Sequence, residues 1–99
     1  MASEKLHEQK NDLTAQTLDL HRAYTSLSEE LEAVDWYNQR ADVAKSDQLK
    51  AILIHNRNEE IEHACMLLEW LRRNQQNWHD IMKTYLFTEK DITRVEEAN

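Results

Sequence analysis

Glu60-Ile61-Glu62-His63 sets a carboxylate three residues ahead of an imidazole. On a helix such residues project side by side, so Glu60 and His63 can grip one metal ion. Upstream lies a second acidic cluster, Glu29-Glu30-Leu31-Glu32. Glu30, brought in from another helix, adds the carboxylate that bridges a second ion. One plain Glu helix and one E-x-x-H helix make half the ligand set of a di-iron carboxylate bundle, which uses two of each. Half a site implies a dimer. Two copies of Glu30 and of Glu60 then supply the negative charge that balances two Fe²⁺ ions, and two copies of His63 add neutral nitrogen ligands. Mixed carboxylate and imidazole ligation suits iron or manganese and is wrong for a thiolate-type zinc site.

Positioning these residues takes long helices. The 99 residues contain no Gly and no Pro, the residues that punctuate β-rich folds and their hairpin turns. Leu13, Thr17, Leu20, Tyr24, Leu27, Leu31 and Val34 keep an alternating four-and-three spacing, an apolar seam on a first helix over about 8–40. Ser46 and Asp47 carry capping chemistry for the next element. A second helix over about 47–73 repeats the rhythm in Leu49, Leu53, Asn56, Glu60, His63, Leu67 and Trp70, ending where Arg72 and Arg73 complement the helix dipole. Trp78, Ile81, Met82 and Tyr85 mark a shorter third helix over about 75–87. Thr88 then caps a last acidic segment within 88–99. The expectation is one all-α domain, residues 1–99: an antiparallel two-helix hairpin plus a short C-terminal helix. Such a hairpin leaves one broad apolar face uncovered, which pairing into a four-helix bundle would bury.

Glu60 and His63 sit on the second seam and Glu30 on the edge of the first, where an unpaired carboxylate is expensive unless it meets a cation. The competing explanation is a Glu-rich helix with solvated acids and a satisfied interface histidine. Glu29, Glu32, Glu59 and Glu62 lie off the seams and read mainly as surface charge. His55 can join Glu59 and Glu62 along one helix face as a weak outer cation site. A second E-x-x-H, Glu4 to His7, lies outside any seam and is assigned no role. His7, His21 and His79 read as surface residues. Trp36 and Tyr37 read as packing, with Tyr37 also able to donate a hydrogen bond to a ligand. Cys65, the only cysteine, allows no internal disulfide and reads as a small buried hydrophobe in a reducing compartment.

The formal net charge of −7 argues against a nucleic-acid partner and suits a protein that attracts cations. No apolar run reaches membrane-spanning length and no signal-peptide core is evident, so a soluble cytoplasmic protein is expected, with no membrane partner.

Three segments carry a family resemblance: Glu29 to Tyr37 (EELEAVDWY), His55 to Ala64 (HNRNEEIEHA) and Leu68 to Arg73 (LEWLRR), with Thr84 to Thr88 (TYLFT) beyond them. Together they closely resemble the encapsulated ferritins over about residues 20–97. The resemblance implies a hairpin that dimerises into a ferritin-like four-helix bundle, with a ferroxidase centre on the dimer interface. Five dimers would close an open ring, a decamer. It places the iron ligands on Glu30, Glu60 and His63 of both chains, Trp36 and Tyr37 close to the centre, and weaker metal positions on Glu29 and Glu32 near the entry route. It further implies oxidation of Fe²⁺ to Fe³⁺ by O₂ and packaging inside an encapsulin shell that stores the product. A C-terminal peptide normally directs such packaging, and Glu96-Glu97-Ala98-Asn99 shows no evident one.

The expected function is therefore a ferroxidase with an iron pair, Mn, Zn or Ca being admissible as substitutes or at secondary sites. The alternatives are a non-catalytic helical scaffold dimer and another di-metal enzyme, such as a manganese-dependent peroxidase.

Overall fold

The structure is a computed structural model that describes residues 5–96. Glu4 of the unassigned E-x-x-H pair, and Glu97, Ala98 and Asn99, lie outside the described residues. Three α-helices follow one another, α1 (Ala15–Val43), α2 (Asp47–Asn74) and α3 (Gln76–Tyr85), with 3-10 turns at Lys10–Asp12 and Ile92–Arg94. Among the described residues there is no strand. The chain divides into two compact units, Met1–Leu68 and Glu69–Asn99, the boundary falling within α2.

The first unit is the α1–α2 hairpin. α1 starts at Ala15 and not near residue 8, because the chain stays extended through Leu13 and Thr14. The Thr14 hydroxyl accepts the Thr17 amide at 3.0 Å, satisfying one of the orphan donors of the first turn. Three residues, Ala44 to Ser46, join the helices. The Ser46 hydroxyl caps α2 by accepting the Leu49 amide at 3.2 Å.

Packing within the unit differs from the seam reading. Its buried residues are Ala23 and Ala41 on α1 and Ala64 on α2. Small side chains let helix backbones approach, and the bulky ones are left to flank the contact. Leu31 stays 55% exposed, Ile52 53% and Met66 65%. An apolar surface this open on a chain this short lacks cover from within the unit. Cys65 is exposed as well, beside Met66 on the open side of α2, which corrects its expected burial.

In the second unit Leu71 and Val95 are fully buried. Glu69 accepts both ends of the Arg72 guanidinium at 2.7 and 2.6 Å and the Arg73 Nε at 2.6 Å. Those three bonds, the Arg72 pair first, hold the Glu69 carboxyl down at about 2. Arg72 Nη1 also meets His79 Nδ1 at 2.8 Å. Guanidinium has no acceptor, so His79 accepts here through Nδ1. His79 is thus tied to α2, not a plain surface residue. α3 stops at Tyr85, two residues short of the expected end, and Phe87 adopts φ 57° with its side chain fully exposed. The acidic segment after Thr88 forms no long helix. Thr88 accepts the Lys90 amide in a local turn, and Asp91 caps the 3-10 turn at Ile92.

Candidate metal centre

Glu30 stands on α1 thirteen residues before its last residue, Val43, and Glu60 stands on α2 thirteen after its first, Asp47. At 1.5 Å per residue both lie about 20 Å from the turn. An antiparallel hairpin therefore sets them level, and His63 follows one helical turn beyond Glu60 on the same face.

Geometry follows from that register. Glu30, Glu60 and His63 each offer one ligand atom, and these atoms all lie within 4.8 Å of one another. His63 Nδ1 is 3.5 Å from Glu30 Oε2 and 3.5 Å from Glu60 Oε2. Among the described residues no other group of three such side chains converges.

Electrostatics at the cluster are unbalanced. Glu30 Oε2 is buried and accepts no hydrogen bond. Two ionised carboxylates have no donor between them, so contact with Glu60 becomes a hydrogen bond only when one proton is shared. That bond, then burial, then the negative charge of Glu60 push the Glu30 carboxyl above its ordinary range, while His63 pulls the other way. A divalent cation would occupy the same place as the shared proton and satisfy all three groups. Oxygen and nitrogen donors without sulfur fit iron or manganese.

The remaining candidates are scattered. His55 Nε2 meets Glu59 Oε1 at 2.9 Å in an exposed pair, and Glu62 does not join them in a cluster. Glu29 is exposed. Glu32 lines a shallow groove along α1 with Tyr24, Leu27, Ser28, Leu31 and Asp35. Trp36 is half exposed. Tyr37 is half-buried, with the Arg40 guanidinium 5.3 Å from its ring centroid, a cation–π contact. Sequence reasoning missed Glu69, whose spacing to Arg72 and Arg73 signalled the clasp, and it missed Arg57, which donates to Asn38 across the hairpin at 3.0 Å.

Comparison with known proteins gives this arrangement relatives. Residues 5–89 match the family model described as EncFtn-like. The chain is 53% identical over 98 residues to an encapsulated ferritin-like protein of Rhodospirillum rubrum, covering 99% of this chain and 70% of that one. It is 52% identical over 95 residues to a ferritin-like protein of Thermotoga maritima, covering 96% of this chain and 83% of that one. Among solved structures it is similar to protein ne0167 of Nitrosomonas europaea, with a TM-score of 0.83 and 55% identity over 88% of this chain and 96% of that one. An all-helical hairpin, a Glu/Glu/His cluster level across it and a match over nearly the full length lead to one assignment: the chain belongs to the EncFtn-like family, the encapsulated ferritins.

Proposed function

We propose that this protein is a ferroxidase, oxidising Fe²⁺ to Fe³⁺ with O₂ at a centre formed between two protomers and feeding iron storage in an encapsulin shell. The observation that carries this reading is the buried, unsatisfied Oε2 of Glu30 beside Glu60 and His63. One chain offers three ligands, too few for two ions. A second copy across the open apolar face doubles the set to four carboxylates and two imidazoles, matching two divalent ions in charge. The iron pair supplies the electrons that O₂ accepts. Glu30 and Glu60 hold and neutralise the ions, and His63 adds a nitrogen that stays neutral as it binds.

The same reading assigns the ring-shaped decamer and the shell partner. The Rhodospirillum relative, named as encapsulated, supports the second of these. Glu29, Glu32 and the His55–Glu59 pair, with Glu62 beyond it, are assigned weaker cation contacts on the approach. Trp36 and Tyr37 are assigned to the surroundings of the centre.

The test is anaerobic loading with Fe²⁺ followed by air, reading the near-ultraviolet absorbance of Fe³⁺. Wild type should oxidise iron far faster than protein-free buffer, and Glu30→Ala, Glu60→Ala and His63→Ala should each approach the buffer rate. Three variants as fast as wild type would remove the assignment and leave a helical scaffold.

A further inference from the structure

Arg57 is an arginine held in place without an anion. Its Nη1 donates to Asn38 Oδ1 at 3.0 Å, and its Nε and Nη2 donate to Asn58 Oδ1 at 3.3 and 3.2 Å. Every acceptor is a neutral amide. Elsewhere the guanidinium groups of Arg22, Arg72 and Arg73 rest on the carboxylates of Asp19 and Glu69. In a chain of net charge −7, this guanidinium is held in place yet meets no carboxylate among the described residues.

Seven residues earlier on the same face of α2, Lys50 lines the same recess, with Ile54 between them. Its ammonium makes no ion pair among the described residues. The opposite wall comes from α1: Asn38, Gln39, Ala41 and Asp42. The recess holds about 450 Å³, near the turn of the hairpin. Ala41 is buried and Ile54 half-buried, giving it an apolar floor.

We propose that this recess binds a small oxyanion such as phosphate. Three of the five guanidinium N–H groups are spent on the two asparagines, which leaves two for a ligand, and the ammonium adds three more. The asparagine bonds fix the planar fork before the ligand arrives, so little freedom is lost on binding. A charge-assisted bond to an oxyanion is stronger than any the amides supply. Asp42 is the one opposing charge in the lining, and it keeps the seat weak and exchangeable. None of Glu30, Glu60 and His63 lines this recess, so the inference stands apart from the ferroxidase reading.

Titration of inorganic phosphate into the full chain, followed by ³¹P line broadening at constant ionic strength, tests it. Wild type should show saturable broadening that sodium chloride does not displace at matched ionic strength. Arg57→Gln should weaken binding about tenfold and Lys50→Gln about threefold, as lost charge-assisted contacts at a solvent-open site. Asp42→Asn should tighten it about threefold, whereas Glu8→Gln, the same charge change at an exposed site outside the recess, should leave it unchanged. Circular dichroism checks the fold of each variant. If Arg57→Gln loses helix, the opposite-signed Asp42→Asn still decides. Displacement by chloride, or equal binding by wild type, Arg57→Gln and Asp42→Asn, would overturn the proposal.

Discussion

Replacing Glu30 with glutamine should stabilise the metal-free protein while removing its capacity to hold iron. Glu30 and Glu60 place carboxylate oxygens no more than 4.8 Å apart, with each side chain about a quarter exposed. Two unit charges at that distance repel by about 1 kcal/mol in water and about 3.5 kcal/mol at an effective dielectric of ~20. Glutamine abolishes the repulsion and brings an amide that can donate to Glu60. In chelator at pH 7, urea unfolding followed by circular dichroism should show Glu30→Gln more stable than wild type by about 1–3 kcal/mol. The pH dependence has a definite sign. Because the folded carboxyl is raised above its ordinary range, wild type takes up a proton in the folded state first. Its stability therefore climbs as pH falls through that window, and the advantage of the variant should shrink toward pH 4.5. With air-stable Mn²⁺ the order should reverse, wild type gaining thermal stability and the variant not. A variant that is less stable than wild type at pH 7 without metal would refute the reasoning.

Other parts of the chain give further tests. Glu69, held at about 2 by Arg72 and Arg73, contributes stability that is present above the ordinary carboxylate range and lost as pH falls from there toward 2. Circular dichroism between pH 5 and 2 should show Glu69→Gln with a flatter acid limb than wild type. Phe87→Gly should raise the unfolding free energy measured in urea by about 1 kcal/mol, since the αL backbone at φ 57° disfavours a side chain this exposed. Leu71→Ala, at a position with no exposure, should cost about 2–5 kcal/mol in the same assay.

The hairpin and the convergence of Glu30, Glu60 and His63 were legible because both follow from helical periodicity. Absence of Gly and Pro required helices, and level placement of the ligands followed from a short turn between them. Other features escaped for identifiable reasons. The seam of α1 runs back to Leu13, and periodicity alone cannot tell that Thr14 stops the helix by accepting the Thr17 amide. Large apolar residues read as core were left half open, because the alanines make the close contact and the bulky faces have no cover in their own unit. His79 meets Arg72 across a break between two helices, and such a pairing leaves no periodic trace. Cys65 followed a type-based expectation of burial that its position on the open side of α2 overrides.

Equal arms on either side of the Ala44–Ser46 turn have a consequence for how this chain tolerates changes in length. Adding one residue to either arm, between turn and cluster, would rotate that ligand by 100° and slide it 1.5 Å, dispersing the three groups. Matched insertions of seven residues, close to two full helical turns, would carry both arms outward together and rebuild the cluster about 10 Å farther from the turn. Changes inside the three-residue turn alter neither arm. Relatives of different length should therefore differ by paired, heptad-sized steps within the helices or freely at the turn, and an engineered hairpin could be lengthened by the same rule.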